Sequence, residues 1–307
     1  MIIHNYYKIN YIVLIFFIVL QKMKKTVIIT GSNSGIGFEL AKKLISENYF
    51  VILACRNRNK GLEAEKILGI NSKFIEVDLS SYKSIDAFSN YLRHKNLTIN
   101  YLVNNAGVMF HPNYFLENGI NVTFFINYIG YYYLSMKLID LLEKNNNSKI
   151  INISSISSYS VKNLDWNFFN PKNTNNSLKY KRELYSYTNL FRLMFSIELS
   201  KKLKMKGFKT KSIATHPGVV KSSLGRYVWI SKLIYSLPIL PPTIVGIKPI
   251  YESISNQSLK GGEFIGFDTK NQWKGTPKIV EPNPICNNDN LRELLWGKTS
   301  ELTRINL

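Results

Sequence analysis

Eight residues, Thr30-Gly31-Ser32-Asn33-Ser34-Gly35-Ile36-Gly37, constrain this 307-residue chain more than any other segment. They follow a short apolar run, residues 27–30, and open a stretch, residues 35–47, with apolar residues at helical spacing. A β-branched run bounded by glycine reads as a buried strand, and the stretch after it as a helix. The three glycines have separate uses between such elements. Gly31 permits a tight turn, Gly35 lets the backbone approach a pyrophosphate, and Gly37 lets helix and strand pack closely. The amino end of the helix adds free N–H groups and a partial positive charge. Strand, glycine loop and helix in this order predict a dinucleotide site.

The rest of the chain repeats the alternation. Further short apolar runs occur at residues 50–54, 74–77, 101–103, 150–153, 212–215 and 263–265. Helical stretches separate most of them, at residues 60–68, 82–95, 119–142 and 182–204. Continuous apolar runs suit strands buried on both faces, so the pattern predicts an α/β fold, a doubly wound parallel sheet of the Rossmann type. No repeat or long linker divides it, and residues 23–307 read as one domain. A hydrophobic content of 45% with 13% aromatic residues can build its core and excludes a disordered chain. Two cysteines, Cys55 and Cys286, exclude a disulfide framework and a four-cysteine zinc site, and no metal is expected. The formal charge of +20 could face phosphates or lipid, but the lysines are scattered among many asparagines. The charge therefore reads as solvated surface, and no nucleic-acid motif accompanies it.

In such sheets ligands bind beyond the carboxyl ends of the strands. The second run ends in Ala54-Cys55-Arg56-Asn57-Arg58. An acidic residue near this point would accept from a ribose 2′-hydroxyl and would repel a 2′-phosphate. Arg56 would pair with that phosphate, so the expected cofactor is NADP(H).

The amino-terminal residues 1–22 stand apart. Residues 11–20 read YIVLIFFIVL, about 15 Å as a helix and half of a bilayer core. No small-residue cleavage site follows. A membrane anchor through residues 9–20 is the leading expectation, with Lys22, Lys24 and Lys25 placing the domain on the cytoplasmic side. Met23 offers a second start, which would leave the domain cytoplasmic, and a cleaved signal is the third alternative.

Taken together, several motifs resemble the short-chain dehydrogenase/reductase family. They are the loop TGSNSGIG, Asp78-Leu79 after the third run, Asn104-Asn105-Ala106-Gly107 after the fourth, and His216-Pro217-Gly218-Val219-Val220 after the sixth. VILACRN (residues 51–57), NNAGVM (104–109), INYIG (126–130) and the closing residues 291–302 are similar to the retinol dehydrogenase and WW-domain oxidoreductase branch. The resemblance spans about residues 24–305. It implies NADP(H) and, in many members, an amino-terminal membrane anchor on an endoplasmic reticulum-like membrane. It also implies roles: Asp78 and Leu79 beside the adenine, Asn104 to Gly107 beside the ribose and cofactor backbone, and Pro217, Gly218 and Val219 beside the nicotinamide. Asn127 would hold a proton-relay water through its backbone, Ser155 would hydrogen-bond the substrate oxygen, and Tyr185 would be the general acid/base.

One position departs from the family. The lysine expected one helical turn after Tyr185 is Asn189. A tyrosine at its ordinary pKa near 10 is ionised about one part in a thousand at pH 7, so alcohol oxidation suffers more from the loss than carbonyl reduction does. Asn189 can still hydrogen-bond a ribose. Lys179, Lys181 and Arg192 are candidate replacement cations. A second match to the pair, Tyr133 with Lys137, falls on another helix and reads as chance. The apolar residues 227–240 resemble a substrate lid and suggest an apolar carbonyl or alcohol, such as a lipid aldehyde or ketone. The expected function is an NADP(H)-dependent oxidoreductase. The alternative is a cofactor-binding pseudoenzyme, a sensor or scaffold whose turnover Asn189 has ended. Self-association is left open.

Overall fold

A computed structural model describes residues 24–112, 115–116, 119–169, 177–221, 227 and 240–307. The residues 1–23, which include the expected anchor, and most of the expected lid lie outside the described residues. Among the described residues no helix is long and apolar enough to cross a membrane.

All seven apolar runs form strands: β1 (Thr26–Thr30), β2 (Phe50–Cys55), β3 (Ser72–Glu76), β4 (Tyr101–Asn104), β5 (Lys149–Ile153), β6 (Lys211–Thr215) and β7 (Phe264–Phe267). They pair in parallel in the order β3-β2-β1-β4-β5-β6-β7. A short strand, β8 (Pro277–Ile279), closes the edge antiparallel to β7. It was not expected, because three residues beginning with proline carry no strand pattern, and an edge is where such a strand is tolerated. The chain runs outward from β1 to β3 and then crosses back to β4. The order therefore reverses between β1 and β4, and a crevice opens there at the carboxyl ends.

Alternate strand residues point to opposite faces. Ile28, Ile52, Leu102, Ile150 and Ala214 pack on one side beneath α3 (Tyr82–His94), α4 (Gly130–Leu142) and α5 (Leu178–Met205). Val27, Ile29, Val51, Leu53, Val103, Ile151 and Ile213 pack on the other, beneath α1 (Gly35–Ser46) and α6 (Thr243–Ser255). α2 (Arg58–Leu68) covers the sheet near β3. Lys149 ties β5 to α6. Its buried ammonium donates to the carbonyls of Ser253 (3.1 Å), Ile254 (3.0 Å) and Asn256 (2.7 Å) at the helix carboxyl end. Burial lowers its pKa to about 8.

Two helices exceed the sequence reading. α6 contains Gly246 and Pro249, both helix breakers in isolation, yet tertiary packing holds it. α7 (Asp289–Thr303) buries Arg292, Thr299 and Thr303 along with Leu295 and Trp296, so its inner face lacks an apolar stripe. It docks on α5 through Trp296 against Phe195 and through Arg292 Nε to Glu198 at 3.2 Å. The expected helix over 119–142 begins at Val122 and runs unbroken to Leu142, but its winding changes along the way. It consists of one α turn (Val122–Phe124), a π turn (Phe125–Ile129) and α4.

Candidate active site

The glycine loop meets three different geometric demands. Gly31 has φ +66°, and a Cβ there would stand 3.0 Å from Ala106 Cα. At Gly37 a Cβ would stand 2.6 Å from Asn105 Nδ2 and 2.8 Å from the Gly31 carbonyl, so no side chain fits. Gly35 has φ +58°, and nothing lies within 4 Å of where its Cβ would be. The space over Gly35 is therefore open exactly where α1 begins. Ser34, exposed at the N-cap of α1, makes no side-chain cap bond. By contrast Asn57, Ser81, Ser177 and Asn288 cap α2, α3, α5 and α7 with their side chains. The first N–H groups of α1 are thus left by the side chain that could have satisfied them, which suits an anionic ligand. Asn33 and Ile36 are half-buried beside them. Ser32 faces inward: it is buried, and its hydroxyl donates to the Ile29 carbonyl at 2.8 Å.

Thr30, outside the expected contact set, ties this loop to the next. Its hydroxyl accepts from Asn105 N (2.9 Å) and Ala106 N (3.0 Å), and Asn105 Nδ2 donates to the Thr30 carbonyl at 2.7 Å. Asn104 turns into the sheet, where its Nδ2 donates to Ser135 Oγ and Asn152 Oδ1, both at 2.9 Å. Gly107 has its Cβ position 3.3 Å from Arg192 Nη2. At the end of β2, the Ala54 carbonyl accepts from Gly31 N at 2.8 Å, which sets the exposed Arg56 beside the glycine loop. Asp78 braces its own turn, accepting from Ser80 N at 2.9 Å and Ser80 Oγ at 2.6 Å, and Leu79 is buried against Gly130 of α4.

The loop after β6 is held by its own motif residue His216 together with Gln272 and Trp273, which the sequence did not mark. His216 is buried and neutral, its pKa lowered by burial to about 4. Its Nδ1 accepts from Gly218 N at 3.1 Å, so its Nε2 carries the proton and donates to Gln272 Oε1 at 2.7 Å. Val219 N donates to the Trp273 carbonyl at 3.2 Å, and Gly218, with φ +69°, packs against that same carbonyl. Pro217 is half-buried between them.

Around Tyr185 the π turn is decisive. It widens the helix at Asn127 and releases a carbonyl from the regular ladder. The Asn127 side chain clamps Val108, accepting from its N at 2.9 Å and donating to its carbonyl at 2.8 Å. Its backbone carbonyl accepts from Arg192 Nε. Tyr185, Asn189 and Arg192 share one face of α5, four and seven residues apart. Asn189 is wholly buried: its Nδ2 donates to the Tyr185 carbonyl (2.8 Å) and to Ser157 Oγ (3.4 Å), and its Oδ1 accepts from Arg192 Nη1 (3.2 Å). Ser154 Oγ donates to the Asn189 carbonyl at 2.8 Å. Ser155 lies between Ser154 and Ser157, so these bonds hold the end of β5 against the turn of α5 that carries Tyr185. Ser155 Oγ accepts from Ser157 N at 3.2 Å. Lys179 is exposed and Lys181 half-buried near the start of α5, whereas Arg192 enters the site. The second Tyr–Lys pair has another use: Lys137 pairs with Asp86 at 2.7 Å, and the Tyr133 hydroxyl donates to the same carboxylate, between α3 and α4.

The geometry therefore leaves the amino end of α1 open at the β1–β4 crevice and holds the turn of α5 that carries Tyr185 against the end of β5. Known proteins resemble the chain as a whole. The family model for short chain dehydrogenases matches residues 25–165. Retinol dehydrogenase 13 of Homo sapiens is 30% identical over 288 residues, covering 91% of this chain and 84% of the relative. The WW domain-containing oxidoreductase of Gallus gallus is 33% identical over 226 residues, and this chain spans only about half, 53%, of its length. A solved structure from Mycobacterium Paratuberculosis superposes with a TM-score of 0.74 at 23% identity, covering 92% of this chain and 94% of the other, a likeness of fold.

Proposed function

The chain belongs to the short chain dehydrogenase family, in its retinol dehydrogenase-like branch, and from that premise we propose that it is an NADP(H)-dependent oxidoreductase acting on an apolar carbonyl or alcohol. The observation that carries the reading is the open space over Gly35 beside an amino end of α1 that its own N-cap leaves unsatisfied. That opening suits a pyrophosphate, and Gly31 and Gly37 beside it leave no room for a side chain. Thr30 holds Asn105 and Ala106 along the same crevice, where a ribose would run. Arg56, exposed at the rim and without an ion pair among the described residues, suits a 2′-phosphate and argues for NADP(H) over NAD(H).

A reduced nicotinamide, when bound, supplies a hydride to a carbonyl carbon. The chain's own residues then manage the oxygen. Ser155 donates a hydrogen bond to it as negative charge gathers there. Tyr185 gives it a proton, so that an alcohol leaves and the tyrosine must be reprotonated from solvent. His216, fixed by Gln272, shapes the Pro217–Val219 wall against which the nicotinamide would lie. The apolar character of residues 227–240 and the names of the relatives, retinol dehydrogenases, support a lipophilic substrate. Residues 9–20 would anchor the domain to a membrane on its cytoplasmic side.

Asn189 favours a second reading, a protein that binds cofactor without turnover. Fluorescence titration with NADPH and NADH, followed by mixing of the NADPH-loaded protein with lipophilic aldehydes and ketones, tests both. Tighter NADPH binding with substrate-dependent oxidation supports the enzyme. Equal or inverted affinities remove the NADP(H) assignment, and tight binding without oxidation supports the second reading.

A further inference from the structure

Arg192 is an unusual residue to find where it is. It is 3% exposed, and among the described residues no carboxylate lies within ion-pair distance of it. A guanidinium stays charged at any ordinary pH, and taking it out of water costs several kcal/mol unless its donors are met. Four of its five N–H groups are met, all by uncharged oxygens: Nε by Asn127 O, Nη1 by Ile153 O (3.1 Å) and Asn189 Oδ1 (3.2 Å), and Nη2 by Ala106 O (3.3 Å). Its plane lies over the Tyr131 ring, 4.2 Å from the centroid, and the Tyr131 hydroxyl donates to the same Ala106 carbonyl. The charge is therefore well solvated by dipoles and wholly uncompensated, at the junction of β4, β5, the π turn and α5.

We propose that Arg192 supplies the positive charge of this active site, acting as a positioning residue on Tyr185 through the buried amide of Asn189. The chain of contacts runs from the guanidinium to the backbone of Tyr185. Nη1–H of Arg192 polarises Asn189 Oδ1, and Asn189 Nδ2–H in turn donates to the backbone of Tyr185 and to Ser157, two residues from Ser155. A net charge in this dry setting also favours any anionic form of a hydroxyl facing it. Burial pushes the Tyr131 pKa up, and the Arg192 charge beside it opposes that rise. An asparagine at 189 is then not a vacancy. It is the group that accepts from a cation three residues further along the helix, where a lysine at 189 would oppose that cation. A merely mechanical role, clasping four elements together, would not need a charge.

The inference rests on the reading of Tyr185 as the proton donor, and its test is arranged to separate the two. In the full chain, the pH dependence of alcohol oxidation and the tyrosinate absorbance removed by Tyr185→Phe are followed in wild type, Arg192→Gln, Arg192→Lys and Arg192→Gln/Asn189→Lys. Arg192→Gln should move the midpoint of both signals upward. Arg192→Lys should keep most of the wild-type midpoint, and the double variant should return towards it. If Arg192→Gln does not fold, Arg192→Met, which keeps an apolar stem over the Tyr131 ring, takes its place and should move the midpoint upward in the same way. A midpoint unmoved in folded Arg192→Gln or Arg192→Met overturns the proposal. The absorbance signal needs no turnover. A wild type without turnover whose absorbance midpoint still follows Arg192 removes the enzymatic reading and keeps the inference.

Discussion

The two sides of the crevice satisfy their demands by different means. Beside α1, the residues that meet the geometry are the ones that stand out in the chain: Gly37 leaves 2.6 Å to Asn105, and Gly35 opens onto free space. The function of that side is carried by backbone, and backbone geometry selects glycine in a way that sequence displays. Beside α5 the function is carried by charge and hydroxyls. There the marked position, Asn189, is buried and spent on protein partners, and the charge arrives from Arg192. A side built from backbone tolerates almost no substitution. A side built from fields can move its charge along a helix and keep the same environment.

The sharpest way to break this contrast is at Tyr185. Tyr185→Phe should lower turnover by about 10²–10⁴-fold while leaving NADPH affinity within about threefold. Equal turnover would place the proton donor elsewhere on the α5 side. Next in size is Gly37→Val, which should weaken NADPH binding by about a hundredfold or more, because its side chain meets Asn105, Gly31 and Ser32 together. Binding within threefold of wild type would mean the loop is not a phosphate cradle. Arg56→Asp should reduce the preference for NADPH over NADH by roughly 10–100-fold, the loss of a charged hydrogen bond and the gain of a repulsion. An unchanged preference would detach Arg56 from the cofactor.

The smallest effect concerns pH. His216 has its folded pKa lowered from 6.5 to about 4, chiefly by burial. The unfolded chain therefore binds the extra proton first, so this contribution to stability is complete above pH 6.5 and is lost as pH falls towards 4. Between pH 6.5 and 5 the loss is about 1.5 kcal/mol. Denaturant titrations of wild type and His216→Asn should show a steeper acid decline in wild type. Parallel declines would mean that His216 does not titrate on unfolding.

How far the sequence could be read follows the same division. The parallel strands are legible because strands buried on both faces leave apolar runs, while β3, at the sheet edge with Lys73 and Glu76 exposed, is marked only by Phe74 and Ile75. β8 is too short to leave one, α6 hides behind Gly246 and Pro249, and α7 buries arginine and threonines where a stripe would be sought. The glycine loop, Asn105 and Tyr185 are visible as motif positions. Arg192 is visible only as one cation among three. Its selection over Lys179 and Lys181 depends on a π turn at Asn127 that helical periodicity conceals. Gln272, which orients His216, lies 56 residues away in the chain and has no local signal at all.

The most direct test of the account is a single turnover. The protein is loaded with NADPH, mixed with a lipophilic aldehyde or ketone, and followed at the reduced nicotinamide absorbance, with Tyr185→Phe in parallel. The account predicts a carbonyl-dependent loss of absorbance in wild type that Tyr185→Phe slows by at least a hundredfold. NADPH that binds tightly and persists unoxidised against every carbonyl offered would contradict it, and would make the crevice a site that holds a cofactor without using it.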